Sequence, residues 1–397
     1  MKYDIHNYAN QHIYAREAVA KAPISERNKE IVLDFEKHLT VTGISVPRIV
    51  RYLFCLKKVA IQLGKDFDKA TKDDITDIIY RIQQSNYTEW TKKTYKCILK
   101  RFYKWLKGND ESYPEEVAWI RTSVPRNKRP LPKKEDLLTE EDMRKLLAKT
   151  TNVRDRALVA ILWESGARVG EIGNQEIGFV SFDKYGAVVM VDGKTGPRNI
   201  RLINSSSYLS AWMDIHPRRN DKHAPLWVCI GSNQGEHIHY RGITKILGKL
   251  FARAGIDKRY NPHIFRHSRA TFLANYLTEF QMNQYLGWVQ GSDMPSTYVH
   301  LSGKDTDKAL LNLYGLEAGE DLKDKVQKPI VCKRCDTINP AESKFCSKCG
   351  GIMDIKTAFE IEEQKAVRDK SDDIMNKLLD DPVLKELFVK KLKELAA

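Results

Sequence analysis

The segment "NPHIFRHSRATFLA" (residues 261–274) concentrates basic side chains in one predicted helix. Pro262 suits the first position of a helix, where its missing N–H is not needed. Four basic side chains follow within two turns: His263, Arg266, His267 and Arg269. Imidazoles and guanidiniums held this close repel one another unless an anion lies between them. The chain must therefore fold so that an acidic group or an anionic ligand reaches this helix.

Length and composition limit the classes of protein to consider. A chain of 397 residues is too long for one ordinary core and predicts two or three domains. It is 42% hydrophobic and 30% charged, which is typical of a soluble folded protein. A net charge of +14 favours a polyanionic partner such as nucleic acid, although proteins of ribosomes or membrane surfaces share this balance. No stretch reads as a membrane span or a signal peptide, so we expect a cytoplasmic location and no membrane partner.

The region 27–115 is predicted to be helical. Apolar residues recur there at spacings of three and four, with breaks at Gly43 and Gly64. Its last long helix, "TKKTYKCILKRFYKWLKG", carries an apolar face and a second face of five lysines: Lys93, Lys96, Lys100, Lys104 and Lys107. Solvated faces usually mix charges, and this one contains no acid. The pattern favours contact with phosphates over a role in solubility alone.

A basic stretch and a β-hairpin follow. The stretch "RTSVPRNKRPLPKKE" holds three prolines and six Lys or Arg against one acid, which predicts an extended linker able to follow a phosphate backbone through Arg126, Lys128 and Arg129. Thr139 and Asp142 in "LTEEDMRKLL" have the spacing of a capping box at the start of the next domain. Two β-rich runs flank a Gly and Pro turn in "AVVMVDGKTGPRNIRLI", which is typical of a β-hairpin.

Three further stretches place polar residues in otherwise apolar settings. Arg168 follows a Gly in "ILWESGARVGEIG", with Glu171 three residues later. Lys194 lies in the hairpin turn, and Tyr298 lies ten residues after Trp288 in "LGWVQGSDMPSTYVHLS". Taken singly, these residues would be a paired structural arginine, an exposed turn lysine and a half-buried core tyrosine.

Taken in order, these motifs resemble the tyrosine recombinase (phage integrase) family. The motifs are "GARVGEI", "GKTG", "HIFR", "GW" and "YVH", and the resemblance covers about residues 25–316, most strongly 139–302. It implies a mainly α fold with a small β-hairpin or sheet. A helical core-binding domain would bind DNA, and a mixed α/β domain would be catalytic.

The resemblance also implies site-specific cleavage and rejoining of duplex DNA through a 3′-phosphotyrosine. The implied roles are phosphate binding by Arg168, Arg266 and Trp288, attack by Tyr298, proton acceptance by His263, proton donation by Lys194, and support of the basic side chains by Glu171. His267 is expected to make a structural hydrogen bond. Because the covalent intermediate retains the bond energy, no nucleotide cofactor or catalytic metal is needed. Four subunits on two DNA sites are the implied assembly.

The carboxyl-terminal region contains two CxxC pairs, ten residues apart, in "CKRCDTINPAESKFCSKCG". Four thiolates at this spacing predict a closed, tetrahedral and therefore structural Zn²⁺ site formed by Cys332, Cys335, Cys346 and Cys349. Such ribbons resemble those of archaeal-type relatives. The sequence is equally consistent with a ribbon that binds DNA and with a ribbon that binds protein.

The predicted segments are an amino-terminal extension (1–26), a helical core-binding domain (27–115), a basic linker (116–136), a catalytic domain (137–318), a zinc ribbon (328–352) and a helical tail (353–397). Two other functions share part of the pattern. A type IB topoisomerase uses the same chemistry to relax DNA without pairing sites. A non-catalytic, zinc-containing DNA-binding protein would explain the charge and the cysteines, but it would leave the ordered motifs to coincidence.

Overall fold

Helices form the amino-terminal part of the protein in the computed structural model, which describes residues 3–107, 112–125, 133–231, 233–302, 314, 329–380 and 382–395. These helices are α1 (Tyr8–Ala20), α2 (Glu26–Val41), α3 (Val46–Leu63), α4 (Lys72–Gln84), α5 (Glu89–Leu106) and α6 (Glu115–Ala118). The helices predicted from apolar spacing are therefore present. Arg126, Lys128 and Arg129 lie outside the described residues.

Local signals fix where these helices begin and end. Thr71 and Asp74 form a capping box at the start of α4, and Gly64 ends α3 in the left-handed conformation with φ 68°. The apolar faces meet in one core, where the rings of Phe67 and Phe102 lie 4.8 Å apart edge to face. Burial of a ring of this size contributes about 1.5–3 kcal/mol.

Residues on both sides of the predicted helical domain also belong to its core. Ala15 and Val19 of α1 are fully buried in it, so the segment 1–26 is more than an extension. Val117 and Ile120, placed by the sequence in the basic linker, are buried in the same core. The sequence did not reveal either feature, because the apolar residues of α1 do not form one face, with Ile13 and Tyr14 exposed, and because α6 is very short. Buried Glu36 helps to hold α1 by accepting from His12 Nε2 at 2.6 Å.

The second part of the chain contains a three-stranded antiparallel sheet and eight helices among the described residues. Its helices are α7 (Glu140–Ala148), α8 (Val153–Ser165), α9 (Val169–Gly173), α10 (Ser206–Asp214), α11 (Tyr240–Ala254), α12 (Pro262–Leu273), α13 (Glu279–Leu286) and α14 (Met294–Ser302). The strands β1 (Val180–Asp183), β2 (Gly186–Gly193) and β3 (Gly196–Leu202) pair in the order β1-β2-β3. The predicted hairpin is β2 and β3, with Val189 opposite Ile200. The predicted capping box of Thr139 and Asp142 starts α7.

The chain divides into two compact units. One comprises Lys2–Asp136 with Ile238–Ile243, and the other comprises mainly Leu137–His237 with Thr244–Ala397. The second unit holds every motif with predicted catalytic residues. Its predicted carboxyl-terminal boundary, residue 318, lies outside the described residues.

The carboxyl-terminal region contains a small hairpin and two helices. Strands β4 (Ile330–Val331) and β5 (Ile338–Asn339) pair antiparallel, and α15 (Ile355–Asp380) and α16 (Pro382–Leu395) follow. The fold is mainly α with small sheets, as predicted. In the part of the chain that the structure describes, no helix combines the length and apolarity required to span a membrane.

Candidate active site

Arg168 enters the site through a sharp break between two helices. Helix α8 ends at Gly166, whose φ of 55° is left-handed, and Arg168 is the residue that precedes α9. A side chain at position 166 would have its Cβ 3.0 Å from Arg269, so a glycine is needed for both conformation and space. Arg168 donates from Nη1 to Glu171 at 2.9 Å and from Nη2 to the carbonyl of Gly287 at 3.0 Å.

Glu171 is the acid that faces the basic cluster, and a second arginine that we did not single out from the sequence binds it. Arg198 of β3 donates from Nη1 and Nη2 to the two carboxylate oxygens at 3.0 and 2.7 Å, and from Nε to the Tyr285 carbonyl at 2.9 Å. Glu171 is only 3% exposed. Burial raises the pKa of its carboxyl, but the hydrogen bonds and charges of Arg198 and Arg168 outweigh that effect, so the pKa lies below its usual value.

A signal for Arg198 was present in the strand pattern. Every second residue of β3 lies on the same face, so positions 198, 200 and 202 share one face, and Ile200 and Leu202 on that face are buried. Arg198 therefore lies on the inward face of the strand. An arginine at such a position needs an acidic partner.

Arg266 is the second predicted phosphate ligand, and it is 5% exposed. Its Nη1 donates to the Gly166 carbonyl at 3.0 Å and its Nη2 to the Leu286 carbonyl at 2.7 Å. The guanidinium carbon lies 5.3 Å from the centre of the Trp288 ring. Burial and the charge of Arg168 lower the pKa of Arg266 to about 10, so it stays protonated at neutral pH.

Tyr298 lies against this cluster and is 2% exposed. Its ring stacks on Trp288 with centroids 5.3 Å apart and planes 10° apart. Its hydroxyl is 2.8 Å from Nδ1 of His267. Burial raises the pKa of the phenol, while Arg266 opposes the increase.

The two histidines of α12 differ in setting. His267 is partly buried, and burial together with His263 and Arg266 lowers its pKa to about 4. His263 is exposed one turn earlier, with its ring centre 6.4 Å from that of His267. Sequence reasoning gave His263 the proton-accepting role, whereas the structure places His267 on the tyrosine hydroxyl.

Lys194 is exposed in the turn between β2 and β3, where Gly193 pairs with Gly196. The residues beside it connect this turn to the site. Thr195 donates from Oγ1 to the Gly287 carbonyl at 3.2 Å. A Cβ on Gly193 would lie 2.2 Å from Glu171 Oε1. The hairpin therefore carries Lys194 to the edge of the arginine cluster.

The predicted lysine face of α5 is partly engaged within the protein. Lys100 donates to the carbonyls of Ala118 and Ile120 at 3.3 and 3.1 Å. Lys107 donates to the Asp68 carbonyl at 2.9 Å and pairs with Glu116 at 3.3 Å. The aromatic contacts of the face place Lys93 over Trp90 and both Lys100 and Lys104 over Tyr113. Acceptors from other segments of the same unit thus replace, for Lys100 and Lys107, the acids that the stripe lacks.

The four predicted metal-binding cysteines come together. The Sγ atoms of Cys332, Cys335, Cys346 and Cys349 all lie within 4.8 Å of one another. The backbone N–H of Arg334 lies 3.4 Å from Cys332 Sγ, and the side-chain amide of Asn339 lies 3.5 Å from Cys346 Sγ. Donors directed at sulfur stabilise thiolates, so the residues present fit a metal ion.

Comparison with known proteins finds similarity to recombinases and integrases. Residues 136–304 match the Phage integrase family. The chain is 24% identical to the tyrosine recombinase XerA of Pyrococcus horikoshii over 260 residues, which is 65% of this chain and 85% of that protein. It is 28% identical to the tyrosine recombinase XerC of Haemophilus influenzae over 210 residues, which is 51% of this chain and 68% of that protein.

Solved structures show the same fold. A XerH site-specific recombinase bound to a palindromic difH substrate aligns with TM-score 0.54 and 18% identity, over 79% of this chain and 98% of that one. A lambda integrase (75–356) dimer bound to a COC′ core site aligns with TM-score 0.55 and 16% identity, over 70% and 97%. The family match and the curated relatives support an enzyme that cleaves and rejoins DNA by transesterification. The match over residues 136–304 and the recombinase relatives support site-specific DNA recombination as the function of this chain.

Proposed function

We propose that Tyr298 attacks a DNA phosphate that Arg168 and Arg266 bind, giving a 3′-phosphotyrosine and a free 5′ hydroxyl. A second 5′ hydroxyl then attacks this linkage and rejoins the strand. The observation that carries the proposal is the convergence of three motifs on one turn. Arg168 donates to the Gly287 carbonyl, Arg266 donates to the Leu286 carbonyl, and Tyr298 stacks on the next residue, Trp288.

The electrostatics of the cluster suit a phosphate in the transition state. Two guanidiniums share one region while the acid beside them, Glu171, already binds Arg198 and Arg168. A phosphodiester would supply the missing negative charge, and charge that builds on its non-bridging oxygens would be met by fixed donors. Trp288, beside Arg266, would donate an indole N–H that does not titrate.

Lys194 is proposed to protonate the departing 5′ oxygen. A lysine ammonium group is a proton donor that can serve as a general acid. The turn that holds it is fixed to the site through Thr195, while Lys194 itself is exposed and free to follow the DNA. Glu171 and Arg198 are positioning residues, because they hold Arg168 and the turn rather than the phosphate.

Zn²⁺ is proposed to bind the four cysteines in a structural role, as in an archaeal-type recombinase with a zinc ribbon. The close thiols and the donors directed at sulfur support this metal, since tetrahedral thiolate sites favour zinc. With four protein ligands the ion has no open position for substrate. Catalysis is proposed to need no metal or nucleotide.

DNA is proposed to be held along the helical unit by Lys93, which lies over the Trp90 ring, and by Lys96. The basic stretch containing Arg126, Lys128 and Arg129 is proposed to extend this contact. Recombination requires two sites, so four subunits are proposed to assemble on two DNA duplexes. We expect the enzyme to work in the cytoplasm.

The test is covalent capture. Wild-type protein and the Tyr298→Phe variant are mixed with genomic DNA of the source organism, trapped in detergent, and the attached DNA is sequenced. Recurrent sites with the wild type alone support Tyr298 as nucleophile. Binding without an adduct from either protein would leave a non-catalytic DNA-binding role, and relaxation of single supercoiled circles without site pairing would support a topoisomerase.

A further inference from the structure

The phenol of Tyr298 must lose its proton as its oxygen bonds to phosphorus, and the structure surrounds that proton closely. The tyrosine is 2% exposed, so bulk water does not reach it freely. Among the described residues, Nδ1 of His267 is the hydrogen-bond partner of the hydroxyl, at 2.8 Å. Stacking on Trp288 fixes the ring in this orientation.

We propose that His267 is a catalytic residue that accepts the Tyr298 proton on Nδ1 when the phosphate is attacked. The inference rests on the proposed function and replaces His263 in the accepting role. In cleavage, the phenol O–H bond breaks as the O–P bond forms, and the proton moves to Nδ1. The bond from phosphorus to the 5′ oxygen breaks, and that oxygen takes a proton from Lys194. Rejoining reverses both transfers.

The direction of the hydrogen bond follows from burial. If Nδ1 carried the hydrogen and donated to the phenol oxygen, the buried phenol hydrogen would have no acceptor among the described residues, which is costly. The phenol therefore donates, and the imidazole hydrogen is on Nε2. A neutral imidazole is required, and the low pKa of His267, caused by burial, His263 and Arg266, provides it at neutral pH.

Substrate binding would strengthen this base. Part of the force that keeps His267 neutral is repulsion from Arg266, the residue before it, and from His263 one turn away. A phosphate bound by Arg266 cancels much of that positive charge. His267 would therefore become more basic when DNA is in place.

Single-turnover cleavage tests the proposal on a nicked duplex made from a site recovered by covalent capture. His267→Asn keeps an amide near the position of Nδ1 but accepts no proton. We expect it to bind the duplex normally and to cleave at least about 100-fold more slowly, the usual contribution of a general base. Its rate should rise with pH above neutrality as hydroxide replaces the base. His263→Asn, the matched change one turn earlier, should lower the rate less.

A substrate with a bridging 5′ sulfur separates the base from the acid, because a thiolate leaves without a proton. This substrate should restore cleavage by Lys194→Ala but not by His267→Asn. Wild-type cleavage by His267→Asn, or its rescue by the sulfur substrate, would overturn the assignment to His267. Failure of the wild type to form any adduct would instead overturn the proposed function.

A measurement without DNA gives an independent answer. Nitrogen-15 NMR of the labelled full chain reports which imidazole nitrogen carries hydrogen. We expect His267 to carry it on Nε2, with an Nδ1 signal that shifts in Tyr298→Phe. Hydrogen on Nδ1 of His267 would contradict the proposed direction of transfer.

Discussion

Arg198 and Glu171 form a bidentate ion pair that ties strand β3 to helix α9. Both side chains are nearly buried, with 10% and 3% of their surfaces exposed. The same carboxylate holds Arg168, so one acid sets the position of a proposed phosphate ligand and of the hairpin that carries Lys194. The pair is therefore a structural support for two parts of the site at once.

Replacing Arg198 by lysine should weaken the protein and slow cleavage. Lysine keeps the charge but loses the two-point contact and the bond to the Tyr285 carbonyl. We expect a loss of about 1–3 kcal/mol in the free energy of unfolding, measured by urea titration, and slower single-turnover cleavage. Arg201→Lys is the control, since Arg201 is on the same strand as Arg198 but its pair with Asp183 of β1 is exposed. Equal effects of the two changes would argue against a special role for Arg198.

Gly287→Ala should disturb the site more than its backbone strain explains. Its φ is 63°, and a Cβ would lie 2.5 Å from Arg198 Nη1. Gly255→Ala is a matched control, because Gly255 has φ 65° and nothing within 4 Å of the added Cβ. In both variants the free energy of unfolding should fall by about 1–2 kcal/mol, because alanine is strained in the left-handed conformation. Only Gly287→Ala should also slow cleavage. Equal cleavage rates for the two variants would show that a displacement of Arg198 does not affect the reaction.

Stability should fall with acid in a way that depends on His267. Its pKa in the folded protein is about 4, below the value of 6.5 expected when unfolded. Between these two pH values the unfolded chain binds more protons than the folded protein, so the free energy of unfolding rises with pH. The stability that neutral His267 contributes is therefore lost as pH falls from about 6.5 toward 4. Thermal melting of wild type and His267→Asn over this range should show a shallower decline in the variant. Parallel curves would assign the acid sensitivity to other groups.

Removing one cysteine of the proposed zinc site should release the proposed Zn²⁺ ion without destroying the rest of the fold. Cys346 is 3% exposed and lies among the four thiols. Cys346→Ser should lower bound zinc well below one ion per chain and expose the region 330–352 to protease. Cys97→Ser is the control, because Cys97 is exposed and outside the cluster. Full metal content in Cys346→Ser would exclude a site that depends on four thiolates.

The lysines of α5 should separate into DNA-binding and structural groups. Neutralising two phosphate contacts lowers the slope of log affinity against log salt by about 2. We expect this lower slope for the double variant Lys93→Ala, Lys96→Ala when its affinity for duplex DNA is measured at several salt concentrations. Lys100→Ala should mainly lower stability, since that lysine binds the Ala118 and Ile120 carbonyls. A full change in slope from Lys100→Ala would show that DNA displaces those contacts.

Local sequence determined much of this protein. Apolar spacing predicted the amphipathic helices, the Thr139 and Asp142 pair predicted a capping box, and the "GKTG" turn predicted the hairpin, because each depends on residues close in the chain. The ordered motifs likewise identified Arg168, Arg266 and Tyr298 as candidates for one site. The CxxC spacing predicted that the four thiols would meet.

Tertiary packing decided which partners these residues have. The residues around Glu171 do not predict that Arg198, 27 positions later, is its partner. The two side chains meet only when β3 lies against α9. His263 and His267 look equivalent in a helix, and the placement of α14 alone brings the Tyr298 hydroxyl to His267. The lysines of α5 form an unpaired stripe until neighbouring segments supply carbonyls. Sequence fixes the chemistry that each side chain offers, but burial and long-range contacts determine its charge state and the atom it meets.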